Sequence, residues 1–311
     1  MGESRAMRKR SITLYSQVFM VLALACCLTA CVGGGKPADT GLPEKPAGSG
    51  LPAKPQVSST DAETVLTIYG DGMQGESGFS LGDLQSMSEG YAEAAYSTTN
   101  RFPTKNLCAG KGVDLDYLLT TAGMSDEIKA ISISADDGYT VDFTRDQLLA
   151  ERYFFPGSSA GSMLGAQAVP TIIAWAQNSN STDLSATRDE SLRLMLGQMS
   201  LDEANASAMV KGLSRIELSL AEPSSWAEPA FSLQDDGLLV IGHEAFDSVK
   251  IYYTTDGTVP DIHSRLYNHS TTYFQPELNK PLSLDGIELV MAFATGYGRY
   301  DSALAVYEVP T

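Results

Sequence analysis

A run rich in proline, glycine and lysine, from residue 33 to residue 60, sets the first limit on what this chain folds into. It carries a short repeat, Gly41-Leu42-Pro43-Glu44-Lys45-Pro46 and then Gly50-Leu51-Pro52-Ala53-Lys54-Pro55. Such a segment cannot bury a core, and its prolines keep the backbone extended. Residues 31–61 therefore read as a tether, and the folded part is confined to about residues 62–311, enough for two domains. Of the four cysteines, only Cys108 falls in that part. No disulfide can staple it, so the domains must stand on their own hydrophobic cores.

Ahead of the tether, Arg5, Arg8, Lys9 and Arg10 precede an apolar run from Val18 to Leu28, with the small residue Ala30 after it. This is the layout of an export signal. The apolar run is short beside the ~20 residues that a membrane-spanning helix needs. Leu28-Thr29-Ala30-Cys31 resembles the lipobox of bacterial lipoproteins. The resemblance implies cleavage before Cys31, lipid on Cys31, and an extracytoplasmic protein anchored to a membrane of the cell envelope. One acyl chain binds only marginally, so two or three would hold it firmly. The net charge is −17, and removing residues 1–30, with four basic residues and Glu3, leaves about −20. That balance argues against a nucleic-acid partner and against an electrostatic hold on anionic lipid. It also suits a plain soluble surface.

From residue 62 to residue 222 the elements are short and mixed. Val65 to Tyr69 reads as a strand, and Ser80 with Asp83 as a capping box. Leu115, Leu118, Leu119 and Ala122 sit at helical spacing between Asp114 as N-cap and Gly123. Ile131 and Ile133 alternate, as do Tyr139, Val141 and Phe143, with Asp136-Asp137-Gly138 between them, which predicts a hairpin. Thr144 and Gln147 cap a short helix, and Thr171 to Ala176 is a buried strand. Leu192, Leu194 and Leu196 alternate, as do Ile216, Leu218 and Leu220. Between them, Ser200 and Glu203 predict a helix ending at Gly212. With no regular βαβ repeat, this is an α+β pattern.

Several pieces, in order, resemble the molybdopterin-binding domain of sulfite oxidase-like oxidoreductases. They are the opening strand with Phe79-Ser80-Leu81-Gly82-Asp83-Leu84, then Tyr96 to Asn100, then Gly112-Val113-Asp114-Leu115-Asp116-Tyr117-Leu118-Leu119 with Ala122-Gly123. Asp137-Gly138-Tyr139, Leu192-Arg193-Leu194 and Val210 to Leu218 complete the set. The resemblance implies a mostly β fold with short helices at its edges. In active members a cysteine thiolate binds molybdenum, and His and Arg side chains hold the pterin. Cys108 is the candidate metal ligand here, with Arg101 and Arg193 as candidates for the cofactor's anion. Three departures point to an empty domain. Cys108 lies too close to the Gly112-Val113-Asp114-Leu115 segment. The domain has no histidine, since His243, His263 and His269 come later. The signal reads Arg8-Lys9-Arg10, without a twin-arginine pair, whereas family members are loaded in the cytoplasm and exported folded. No cofactor is therefore expected, Cys108 reads as a small buried thiol, and Arg193 reads equally as the partner of an acidic neighbour.

Other motifs imitate chemistry. Gly70-Asp71-Gly72-Met73-Gln74-Gly75 follows a strand, but Gly75 and Gly78 bar the helix that a dinucleotide site requires. Gly157-Ser158-Ser159-Ala160-Gly161 matches a nucleophile elbow, yet Pro156 and Gly165 mark a loop. Asp136-Asp137-Gly138 and Asp235-Asp236-Gly237 read as turns rather than calcium loops.

Pro223 and Pro229 mark a boundary, after which residues 223–311 show only strand-like runs. These lie at Leu238–Ile241, Val249–Thr254, Ile287–Ala294 and Ala303–Val309, which predicts a small β-sandwich. Ile251-Tyr252-Tyr253-Thr254-Thr255-Asp256-Gly257-Thr258-Val259-Pro260, Ser264-Arg265-Leu266-Tyr267, Met291 to Ala294 and Gly296-Tyr297-Gly298 resemble the chitobiase C-terminal, fibronectin type III-associated domain. The resemblance implies an immunoglobulin-like accessory module without catalytic carboxylates. Its tyrosines read as core, with stacking on sugars as the alternative. His263 and His269 lack a third ligand for a metal. The whole reads as a lipid-anchored envelope protein acting in binding or display. A molybdopterin-dependent oxidoreductase using Cys108 is one alternative, and a carbohydrate-binding surface protein is the other.

Overall fold

The computed structural model describes residues 63–268 and 276–310. Cys31, the export signal, the tether and His269 lie outside the described residues. The described part is mostly β, with a few short helices.

The chain opens with β1 (Thr64–Tyr69) and β2 (Ser77–Ser80), followed by α1 (Leu81–Ser86). Next come β3 (Tyr91–Thr99), β4 (Lys105–Asp114), α2 (Leu115–Ala122), β5 (Ala130–Ala135), β6 (Thr140–Thr144) and α3 (Arg145–Leu149). β7 (Arg152–Phe154), β8 (Gln167–Val169), β9 (Ile172–Ser179), β10 (Arg188–Met195) and β11 (Leu213–Ser219) complete this segment. A five-stranded sheet runs β2-β1-β11-β5-β6, and a four-stranded sheet runs β10-β9-β4-β3. Every pairing in them is antiparallel except one. β1 and β11 pair in parallel, with Thr67 opposite Arg215 and Tyr69 opposite Glu217.

Local chemistry explains most of these elements. Ser80 and Asp83 form the expected capping box of α1, and Thr144 and Gln147 that of α3. The Asp114 side chain caps α2 by accepting from the Tyr117 N–H, and Gly123 closes it in the left-handed region at φ 94°. α2 buries Leu115, Leu118, Leu119 and Ala122, each leucine contributing about 1.5–3 kcal/mol by leaving water. β5 points Ile131 and Ile133 inward and its serines outward, and Gly138 at φ 87° turns the chain into β6. Side chains from both sheets and α2 share one core. Gly112 lets β4 and β9 approach, because a Cβ there would overlap the Ile173 carbonyl.

The helix predicted from Ser200 to Gly212 does not form, and the segment runs as turns. Its polar side chains are engaged elsewhere. Asn205 bonds the backbone of Ser97, Thr99 and Leu196, and the Glu203 carboxylate reaches Arg152 and Tyr297. Those partners over-ride the local capping signal.

The remaining strands form separate sheets. β12 (Ala230–Leu233) pairs with β13 (Leu239–Gly242). β14 (Lys250–Thr254), β15 (Arg265–Tyr267), β16 (Leu289–Thr295) and β17 (Ala305–Glu308) form a sheet of order β15-β14-β16-β17. The two share a core of Leu239, Ile241, Ile251, Tyr253, Val290 and Ala292. The opposite face of β14, β15 and β16 is also covered, and carries Tyr252, Leu266 and Phe293. That is why β14 shows four consecutive buried residues instead of an alternation.

Candidate functional site

The covered face of β14 and the loop after β16 meet the first segment at three groups of polar contacts, besides the hydroxyl pair of Ser200 and Tyr252 at 3.3 Å. At the first, the Arg101 carbonyl accepts from the Lys250 Nζ at 2.7 Å and from the Asn268 Nδ2 at 3.0 Å. The second is the side chain of Gln147, whose Nε2 donates to the carbonyls of Gly296 and Arg299, both at 2.8 Å. Its Oε1 accepts from the Gly298 N–H at 2.9 Å. In the third, Glu203 Oε1 accepts from the Tyr297 hydroxyl at 2.7 Å and from Arg152 Nη1 at 2.9 Å. Arg152 is fully buried, and its remaining donors reach the carbonyls of Gln147 and Gly197. The Tyr297 ring meets Phe143 edge-on, with centroids 5.1 Å apart.

Beside these anchors lies a cleft of about 920 Å³, with walls from both segments. Arg101, Phe102, Tyr139 and Glu203 come from the first, and Trp226, Lys250, Tyr252, Tyr297 and Tyr300 from the second. Phe102, Tyr139 and Tyr300 each keep part of their ring exposed. Arg101 stacks on Phe102 with the guanidinium carbon 4.7 Å from the ring centre. It also pairs with Asp247 at 2.9 Å, both side chains half exposed. Tyr252 and Lys250 are nearly enclosed. Burial draws the Lys250 amine down to about 8. Burial also holds the Tyr252 phenol above its ordinary value.

The residues proposed for a pterin are not brought together. Arg101 lines the cleft, whereas Cys108 and Arg193 do not. Cys108 lies inside β4, opposite Tyr96 on one side and Ser179 on the other, and is 6% exposed. Burial pushes its thiol up to about 11, despite the opposing influence of Arg193. A protonated, enclosed thiol is a poor ligand for a metal. Arg193 has no acidic partner among the described residues. It donates to the Met209 carbonyl at 3.3 Å and Gln177 Oε1 at 3.4 Å.

The imitating motifs resolve into structure. Gly70, at φ 121°, packs against the Leu218 backbone and turns β1 away from any helix. Ser159 sits exposed in a single 3-10 turn, Ser158–Ala160, with no histidine bonded to it among the described residues. The two Asp-Asp-Gly runs are turns, in which Asp137 and Asp236 accept from the N–H two residues on. No group of three metal-ligating side chains exists among the described residues. His243 is fixed by the Ala227 carbonyl and the Ala245 N–H, and His263 is exposed. Tyr252, Tyr253 and Tyr267 are buried, so these strand tyrosines offer no open platform for a sugar.

Residues 241–306 match the chitobiase/beta-hexosaminidase C-terminal domain family. The match covers β14 to β16 and half of each of β13 and β17. Among solved structures, the sulfane dehydrogenase SoxCD from Paracoccus pantotrophus is similar at 11% identity and a TM-score of 0.34. The alignment covers 76% of this chain and 68% of that one. A likeness at that score carries no argument about fold or activity. No curated protein sequence matches the chain significantly.

Sequence reasoning read Gln147 and Glu203 only as helix caps and did not single out Arg152 or Lys250. The only signal for Lys250 was a cation inside an otherwise apolar strand, Val249-Lys250-Ile251-Tyr252-Tyr253.

Proposed function

We propose that this chain is a lipid-anchored, extracytoplasmic protein of the bacterial cell envelope that works by binding, with the cleft as its site. In this reading residues 62–222 keep the molybdopterin oxidoreductase-like fold without its cofactor. Residues 223–311 form the immunoglobulin-like accessory domain. The observation that carries the reading is the position of Cys108, enclosed in a sheet and absent from the cleft wall. The residues present do not fit a pterin. A pterin's phosphate and polar edges need matching donors, and Arg101 and Arg193 do not face one cavity. The cleft, by contrast, has the size and the mix of rings and charged groups of small-ligand sites.

Two measurements test the reading. Protein purified with its own signal should contain no stoichiometric molybdenum and yield no fluorescent pterin after acid oxidation. Metal and pterin that both vanish in Cys108→Ser would establish the oxidoreductase instead. Cys31→Ala should release the protein from membranes or leave the uncut precursor in them. A processed mutant that stays membrane-bound would refute the anchor.

A further inference from the structure

We infer that the cleft holds a small organic monoanion, its carboxylate seated against Lys250. This rests on the cleft being the binding site, and adds the charge and class of what it takes.

Arg101 and Lys250 line this end of the cleft and Lys105 acts on Lys250 from behind it; of these three cations, two are matched. Lys105 is 2.7 Å from Asp202, and Arg101 is 2.9 Å from Asp247. Lys250 has no carboxylate within ion-pair distance among the described residues. Its Nζ donates to two neutral acceptors, the Arg101 carbonyl and Asn268 Oδ1, each at 2.7 Å. An ammonium carries three N–H donors, so one remains without a protein acceptor among the described residues.

Lys250 is 7% exposed, yet it lines the cleft. A buried, unmatched charge is costly, and natural structures pair such groups. The missing partner here is an anion entering from the cleft. Arg101 lines the same cleft, and its guanidinium, paired with Asp247 and stacked on Phe102, is a second donor group there. A planar carboxylate suits that pair of donors.

The rest of the cleft limits the ligand. Asp142, Asp146, Glu203 and Asp301 line it, as does Asp247 in its pair with Arg101, and these carboxylates oppose a second negative charge. The partly exposed rings of Phe102, Tyr139 and Tyr300 suit an apolar or cyclic body. A monocarboxylate with a ring therefore fits better than a phosphate ester or a polyanion.

The test uses the full-length lipoprotein in detergent, titrated at constant ionic strength with benzoate, and with benzyl alcohol as the neutral counterpart. Calorimetry and the shift of the melting temperature are the readouts. Benzoate should bind and benzyl alcohol should bind at least about tenfold more weakly. Lys250→Met should weaken benzoate by a similar factor, and replacing a buried charge with an apolar side chain is commonly tolerated. Arg101→Gln, which keeps the backbone carbonyl, should weaken it too and carries the test if Lys250→Met does not fold. Equal affinity for the alcohol, or undiminished benzoate affinity in the variants, would overturn the anion assignment while leaving the cleft a binding site. Failure of both probes to bind would overturn the cleft reading as well.

Discussion

Glu203→Ala should be among the most damaging single changes in the described part. The Glu203 side chain is 17% exposed, and its Arg152 partner is completely buried. Removing the carboxylate leaves a buried guanidinium facing the Gln147 and Gly197 carbonyls and the Tyr297 hydroxyl, with no anion to match it. Breaking one side of such a pair costs about 3–5 kcal/mol. The orphaned Tyr297 hydroxyl adds about 1 kcal/mol or more, while water entering from the cleft offsets part of the total. A net loss of about 3–4 kcal/mol corresponds to roughly 6–16 °C in Tm for a folded part of this size. Glu203→Gln keeps an acceptor for both partners and should lose less than half as much. The two tryptophans make the assay specific, since Trp175 belongs to β9 and Trp226 to the second segment. Urea unfolding of Trp175→Phe and Trp226→Phe proteins, each reporting the other ring, should show coincident transitions in the parent. Those transitions should separate in Glu203→Ala, because the lost group joins the two segments. A Glu203→Ala protein within about 1 kcal/mol of the parent would refute the role given to the Arg152–Glu203–Tyr297 group.

Three further outcomes are expected. The Cys108 thiol should resist an aromatic disulfide reagent at mildly alkaline pH until the protein is unfolded, and stoichiometric labelling of the native protein would contradict its burial. Gly112→Ala should cost about 1–3 kcal/mol or prevent folding, because the new Cβ meets backbone rather than a movable side chain; an unchanged Tm would count against the close approach of β4 and β9. Lys250 has a folded value of about 8, below the 10.5 of a free lysine, so the unfolded chain binds more protons between them and this residue's contribution to stability rises with pH across that window. Asp202 opposes the shift and Lys105 and Arg101 reinforce it. Cys108 acts in the opposite sense above its ordinary value of 9.0, so the measurement is the difference between parent and Lys250→Met in urea titrations at about pH 7 and about pH 9.5. A difference that does not change with pH would refute the assignment.

Locally encoded features were legible in the sequence. Ser80 with Asp83, Thr144 with Gln147, and Asp114 with Gly123 each act within one helical turn, so their spacing suffices to place them. The β5–β6 hairpin followed from its alternation and its Asp-Asp-Gly turn. The segment after Ser200 was not legible, because Glu203 and Asn205 answer to Tyr297, Arg152 and Thr99, which are distant in sequence. The cleft was hidden for the same reason. Period-two reasoning assigns each strand one buried face, but β14 is buried on both because the first segment covers Tyr252. Cys108 drew attention through its chemistry, whereas its enclosure depends on pairing partners in two other strands.

The parallel pairing of β1 with β11 has a mechanical consequence. Its first residue, Thr64, and the exit of β11, Ser219, lie at opposite ends of the pair. A pull between the chain ahead of Thr64 and the part beyond Ser219 is therefore directed along the strands. The ladder hydrogen bonds then share the load together, rather than opening one after another. β2, on the other side of β1, adds its own bonds to the same clamp. Forced unfolding is governed by the rate of escape from the native state, and a shear clamp slows that escape. A protein held at its N-terminal end on a moving surface would thus keep its fold under tension that would unzip a hairpin.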